Sequence, residues 1–575
     1  MKPARTLIVF FTSILVLLLL VTAVAQTSEP VDTAAIEKIK NAEKTSQVME
    51  MATAITNTYG ARLTNSANVK AAGEYARKKL VEWKLTDVQL QTFNFGNGWT
   101  NERFSLKVAS EPTLTLRAYS KPWTQGTNGP VTGEVVEGVR TQADLTSMKG
   151  KLRGKFVLVL PPPPPPPATA APPLKRLSDA ELASMSAAAP ATQPAAGGAQ
   201  AAASRGGAAP APSEPPAEEA GAFAFLENAL SAAPATATNA ARPAAAPAAG
   251  MPSRSVVTRF YFDEGVAAMI EPTQVRFGAM FSISDTGETV PWKKDDAPST
   301  KAPTKTPAQI VMGVDDYLKL VEKVKAGTVS LTADIKNTYQ SLDPLSFNVV
   351  GDIKGTDKAD ELVVLGAHLD TVTLGKGATD NAAGVAVVME AVRLLKVLNL
   401  PLRRTVRLGL WTASEQGELG SMAFVDKYFF QRPIRQLRAG HAKLSTYFNV
   451  DNGTGAIRGV FLQGNTEIKP IFEAWMAPFK SMGMTTLSDR SVGGTDHISF
   501  DNIGLPGFQF IQDPIEYDAV THHSTKDTAD KLMKEDLEKN AAIVASWVYL
   551  AANRAELLPR KPLPKGVYPA GSPVP

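Results

Sequence analysis

Leu362-Val363-Val364-Leu365-Gly366-Ala367-His368-Leu369-Asp370 sets an apolar run directly against a histidine and an aspartate. A few residues later comes Gly377-Ala378-Thr379-Asp380-Asn381-Ala382-Ala383-Gly384. The first stretch reads as a strand, Leu362 to Leu365, whose end presents His368. The second reads as the mouth of a helix, Asn381 to Leu398, with small residues that let backbone approach closely. Strand, polar loop and helix in that order form the repeating unit of an α/β fold. In open sheets of this kind ligands sit outside the carboxyl ends of the strands, where His368 and Asp380 fall. A histidine there can offer one ring nitrogen to a metal, and Asp370 is placed to orient that imidazole. A carboxylate at Asp380 can bridge two metals.

The same grammar continues outward. Val406 to Trp411 reads as a strand that runs into Thr412-Ala413-Ser414-Glu415-Gln416-Gly417-Glu418-Leu419-Gly420-Ser421. Thr446 to Val450 reads as another, ending in Asp451, and Gly507 to Ile511 as a third. Thr521-His522-His523-Ser524-Thr525-Lys526-Asp527-Thr528 follows, and Asp536 to Leu557 reads as a long closing helix. Alternation from about 307 to 558 predicts an α/β sandwich with a mostly parallel sheet. Each polar element alone is ordinary, since an acidic residue ending a strand more often caps a helix or forms a turn. Together they absorb most of the five histidines, His368, His441, His497, His522 and His523. Two histidines and three carboxylates match the ligand count for two zinc ions sharing one carboxylate, with positions left open. His441 fits no motif and reads as a surface or loop histidine.

The rest of the chain bounds the answer. Its 575 residues are 44% hydrophobic and 20% charged, enough for two or three domains, and the net charge of +4 gives no reason to expect nucleic acid. The absence of cysteine removes disulfides and thiolate chemistry, so any metal must sit on His, Asp and Glu. Lys2 and Arg5, the apolar run Leu7 to Val21 and Ala23-Val24-Ala25 read as a signal peptide over 1–25, which places the body in the periplasm or outside the cell. An uncleaved membrane anchor is the alternative. Val69 to Trp83 patterns as an amphipathic helix with Ala72, Tyr75, Ala76, Leu80 and Trp83 near one face, and Leu85 to Phe95 as a strand. Phe156 to Leu160 reads as a buried strand. Polyproline then opens an Ala/Pro-rich insertion over 161–254, expected to be largely disordered because it cannot bury enough apolar surface, with a short helix around Ala222 to Leu230. Order resumes at Val256, and Phe262 to Ile270 reads as a helix end feeding a strand. The Pro-rich residues 559–575 read as a flexible tail.

These motifs resemble the zinc exopeptidase family of bacterial leucyl aminopeptidases, plasma glutamate carboxypeptidase and glutamate carboxypeptidase II. The resemblance covers most of the chain outside the insertion and tail. Gly60-Ala61-Arg62-Leu63-Thr64-Asn65-Ser66 resembles the family's N-terminal segment, and 116–295 resembles a protease-associated domain. The implied architecture is a mostly parallel α/β/α sandwich, the phosphorylase/hydrolase-like fold, made from 27–115 and 296–558 with that smaller β-rich domain inserted. The resemblance also implies two Zn²⁺: Asp380 bridging, His368 and Asp451 completing one site, Glu415 and His523 the other. The family pattern His-[Ser/Thr]-x-x-Asp-Thr selects His523, leaving His522 behind the ligands or facing substrate. His497, in Gly493-Gly494-Thr495-Asp496-His497, is open between a structural and a functional role.

One position departs from the family. Two adjacent glutamates normally precede the Gly-x-x-Gly-Ser turn, the first a general base and the second a ligand. Ungapped, Glu415 is the ligand and Ser414 stands in the base position. A one-residue slip would make Glu415 the base and Gln416 a poor ligand. A hydroxyl cannot take a proton from water as a carboxylate does, and general-base help is worth roughly 10²–10⁴-fold. Glu418 is a conceivable substitute that is expected to point away across the turn. The expectation is an exported di-zinc exopeptidase of aminopeptidase or dipeptidase/carboxypeptidase type, acting on peptides through a zinc-bound hydroxide and weakened by Ser414. The alternative is an inactive relative that binds peptide or metal.

Overall fold

The computed structural model describes residues 29–159, 174–187, 252, 254–273, 275–276, 279–280, 307–340, 345–372 and 375–574. The signal-peptide reading and the short helix expected around Ala222 to Leu230 lie outside the described residues.

Two eight-stranded sheets organise the molecule. The first runs, edge to edge, through Thr86–Asn94, Leu345–Ile353, Arg404–Trp411, Lys358–His368, Leu444–Asn449, Gly507–Gln512, Ile457–Phe461 and Thr486–Ser488. Its four central strands, from Arg404–Trp411 to Gly507–Gln512, are mutually parallel. Antiparallel pairs flank this centre on both sides, so the sheet is mixed with a parallel heart. The central strands are buried almost throughout, apart from Lys358 to Leu362 at the start of one, as strands covered on both faces should be.

Helix Ala383–Val397 is buried from Ala383 to Leu395 and packs against the closing helix Lys534–Asn553. A helix apolar on every side belongs in a core. Ser66 caps helix Ala67–Glu82 by accepting from the Val69 amide. That helix buries Val69, Ala72, Gly73, Ala76 and Leu80, while Tyr75 and Trp83 stay at the margin of the same core.

The second sheet collects strands from Gly98–Val108 to Ser330–Gln340 around a core of its own. It is therefore wider than the expected 116–295. Long pairing between Gly98–Val108 and Ser330–Gln340 sets these limits.

Two segments expected to be loose are docked. In the insertion, Leu174 to Ala187 lies against the first sheet, and helix Asp179–Ala187 contacts edge strand Thr486–Ser488. In the tail, the Tyr568 backbone accepts from the Leu437 amide and donates to the Arg435 carbonyl, and Val567 is buried in an aromatic cluster. Pro-rich composition hid a few apolar residues and backbone pairings that suffice to hold each segment.

Candidate metal centre

Strand register builds the site. Along parallel partners, His368 lies level with Trp411, and Gly366 with Asn449. Four residues beyond Trp411 is Glu415, and two beyond Asn449 is Asp451, so all three emerge at one sheet edge. Asp380 reaches it from the loop before helix Ala383–Val397. Gly377 makes that loop possible: its φ is +57°, and a Cβ there would sit 2.3 Å from Thr371 Cγ2 and 2.5 Å from the Asp380 carbonyl. Gly384 lets the helix start against the Val450 carbonyl, which a Cβ would meet at 2.2 Å.

The five expected ligands converge with Asp380 in the middle. His368 Nε2 is 3.2 Å from Asp380 Oδ1 and 3.2 Å from Asp451 Oδ1. On the other side, His523 Nε2 is 3.4 Å from Asp380 Oδ2 and 3.1 Å from Glu415 Oε2. His522 stands further off, 4.0 Å from Asp380 Oδ2, with its ring against those of His523 and Tyr517. His523 adopts φ +54° and Ala413, just before the Ser414–Glu415 turn, φ +58°. Such backbone is uncommon outside glycine and concentrates at functional sites.

Supporting contacts are specific. The His368 Nδ1 partner is the Asp370 main-chain carbonyl at 3.1 Å, not its carboxylate, which is 3.7 Å away. That carboxylate instead accepts from the Ser414 and Glu415 amides, at 3.3 Å each, and from Thr64 Oγ1 at 2.9 Å. Asp370 thus orients the imidazole through its backbone and the Glu415 turn through its side chain. Asp527 accepts from the Thr379 and Asp380 amides and fixes the loop that presents Asp380. Arg62, fully buried, donates to the carbonyls of Leu369, Gly60, Lys376 and Gly377, lacing the His368 and Asp380 loops to the N-terminal segment. Its motif was visible in the sequence, but this clamp was not, because three of the four acceptors are main-chain atoms 307 to 315 positions away.

The Ser414 hydroxyl donates to Asp496 Oδ2 at 2.9 Å. Burial, opposed in part by His368, pushes Asp496 up to about 7. Burial and then the charges of Asp496, Asp451 and Glu415 push the Glu418 carboxyl up to about 8. Glu415 rises to about 8 through burial and the adjoining Asp380. Burial works against both charged forms, yet His368 is held well above its usual range by Asp451, Asp370 and Asp380, and Asp380 well below its own by His368, His523 and His522. Burial, then Asp380 and Asp451, keeps the Tyr517 phenol protonated.

Each of the remaining histidines meets a main-chain carbonyl through Nε2. His497 is buried, bonds the Val492 carbonyl through Nε2, and is kept neutral by burial. His441 is also buried, not at the surface: Nε2 meets the Ile503 carbonyl at 2.9 Å and Nδ1 meets Arg560.

Residues 348–548 match the sequence profile of Peptidase family M28. This region resembles the peptidases of that family. The chain is 31% identical over 223 residues to carboxypeptidase Q of Rattus norvegicus, covering 39% of this chain and 44% of that protein. It is 27% identical over 237 residues to aminopeptidase YwaD of Bacillus subtilis, covering 40% and 48%. The chain thus spans less than half the length of the curated relatives it matches. Among solved structures, a peptidase M28 precursor from Shewanella amazonensis aligns over 92% of this chain and 98% of its own, with TM-score 0.59 and 20% identity. BSAP, a zinc aminopeptidase from Bacillus subtilis, aligns over 91% and 98% with TM-score 0.52 and 16% identity. At these identities the likeness is one of fold, and it extends past the M28 region over both sheets.

Proposed function

We propose that this protein is an exported di-zinc exopeptidase that hydrolyses peptide bonds at a chain end, with activity weakened at Ser414. The observation that carries the reading is the placement of Asp380 between two histidines, one facing each carboxylate oxygen. Asp380 would bridge two zinc ions, His368 and Asp451 would complete one, and Glu415 and His523 the other. The donor set fits the metal: five N and O ligands with no thiolate, and a buried Glu415 Oε1 without a hydrogen-bond partner. Histidines are the ion partners of these carboxylates, and Glu415 is destabilised by Asp380, so divalent cations would relieve the crowding.

Zinc, when bound, supplies Lewis-acid polarisation of the scissile carbonyl and a more acidic water. The chain's own residues do the rest. Asp370 and Asp527 hold the ligand loops in place. His522 and Tyr517 face the cleft beside Asp380 and are placed to meet substrate. At position 414, the family's base position, a hydroxyl already committed to Asp496 replaces the carboxylate that would take up a proton, which supports a slower enzyme. The same contact favours a second reading, a relative that binds peptide or metal without turnover. We assign the second sheet to a protease-associated-like domain, and the N-terminal segment to export.

The test is zinc stoichiometry of the purified protein together with hydrolysis of aminoacyl and dipeptide substrates. Two zinc equivalents and slow cleavage at a chain end are expected. Zinc binding without any cleavage promotes the second reading, and no zinc binding refutes both.

A further inference from the structure

The insertion reads in sequence as largely disordered, yet one piece of it reaches the segment that delivers His523. Lys175 and Ile515 pair as an antiparallel bridge, with the Ile515 amide donating to the Lys175 carbonyl at 2.8 Å and the Lys175 amide donating back at 3.2 Å. Ile515 has φ +48°, a conformation that a β-branched residue rarely adopts and that persists only where the surroundings enforce it. Both of its backbone polar groups are bonded to the insertion. Next to it, Arg176 Nη1 lies 3.0 Å from Asp513 Oδ2 and 2.8 Å from Asp536 Oδ2, both carboxylates being buried. The Leu177 amide donates to Asp513 Oδ1 at 2.8 Å. Further along, Ser488 Oγ donates to the Met185 carbonyl, and Leu182 is buried at the sheet edge. The chain then turns from Ile515 through Tyr517–Thr521 into His522 and His523, with the His522 amide bonded to the Tyr517 carbonyl.

We propose that Lys175–Ala187 is a positioning element for His523, with Arg176 as its key residue. It locks the strained Ile515 turn, so the half-site made by Glu415 and His523 depends on the insertion. The metal consequence rests on the two-zinc reading; the locking of the turn does not. Asp513 keeps a second cation, Arg458, at 2.9 Å. Arg176 loss therefore releases the turn rather than stripping Asp513 bare.

The experiment compares wild type, R176A, R176K and R176A/D536N by hydrogen exchange in zinc-free protein and by zinc titration. The double variant removes the buried carboxylate that R176A strands, in case the single variant fails to fold. In R176A the amides of 515–523 are expected to exchange about ten-fold faster or more, those of strand Arg404–Trp411 to be unchanged, and zinc to fall from two equivalents toward one. R176K should restore most of the protection. Unchanged exchange over 515–523 in a folded R176A or double variant overturns the proposal. So does a wild type whose Ile515 amide is unprotected, a result available whatever the variants do. A wild type that protects this turn but binds no zinc sinks the two-zinc reading and leaves the positioning role standing.

Discussion

Replacing Ser414 with glutamate puts a carboxylate where the family keeps its base. If that base is what the protein lacks, kcat/KM should rise by roughly 10²-fold or more toward the general-base limit. The structure limits how much of that gain appears. Ser414 Oγ is 2.9 Å from Asp496 Oδ2, so the new carboxylate would face a second one. Two like charges about 4 Å apart at an effective dielectric near 20 repel by about 4 kcal/mol, close to a thousand-fold in rate if carried into the transition state. Asp496 sits at about 7 through burial. The same repulsion keeps one proton on the pair well above that pH, so Asp496 donates to the new carboxylate and blunts it as a base. S414E is therefore expected to gain only part of the general-base factor, both at pH 6 and at pH 8.5. The double variant S414E/D496N should keep the whole gain at both. Steady-state hydrolysis of an aminoacyl substrate by zinc-loaded proteins across this range gives the answer. An S414E protein that holds both metals yet is no faster at pH 6 refutes the reasoning, and Glu415 or Glu418 must then carry the proton.

Other outcomes follow from the same geometry. D380A should lose most bound zinc, since Asp380 faces both histidines; equal zinc content with and without it removes the bridging assignment. In chelator, melting temperature should fall from pH 5 to pH 8. Folded Asp496 and Asp527 at about 7 and Glu418 at about 8 keep protons that unfolded carboxyls near pH ~4 have released. The native state then binds more protons, so stability declines as pH rises, and His368, raised when folded, adds to the same slope. A melting temperature that climbs over this range contradicts the buried-carboxylate account. R62M strands the buried carbonyls of Leu369 and Gly377 at about 1–3 kcal/mol each and leaves the partly buried ones of Gly60 and Lys376 to water. Urea denaturation should show a loss of about 2 kcal/mol or more, and a loss under about 0.5 kcal/mol shows the clamp to be incidental.

What the sequence could and could not reveal follows from how each feature is encoded. His368, Asp380, Glu415 and Asp451 stood out because each follows an apolar run or opens a helix, at the carboxyl ends of strands, whereas His523 was singled out from His522 only by the family pattern. The flanking antiparallel strands were less so, because direction is not written in an apolar run. Arg62, Asp496 and Asp527 were visible as letters but not as parts, since their partners are main-chain atoms or lie on distant segments. His441 looked superficial because it fits no motif, while its partners Ile503 and Arg560 lie far away in sequence. The docked piece of the insertion, Leu174 to Ala187, was missed for a related reason. Composition measures whether a segment can fold alone, and Lys175–Ala187 cannot; it is ordered by Asp513, Ile515 and Ser488 of a sheet it does not belong to. Low-complexity sequence thus argues against an independent core, and leaves open short islands whose few polar and apolar residues match a surface already built.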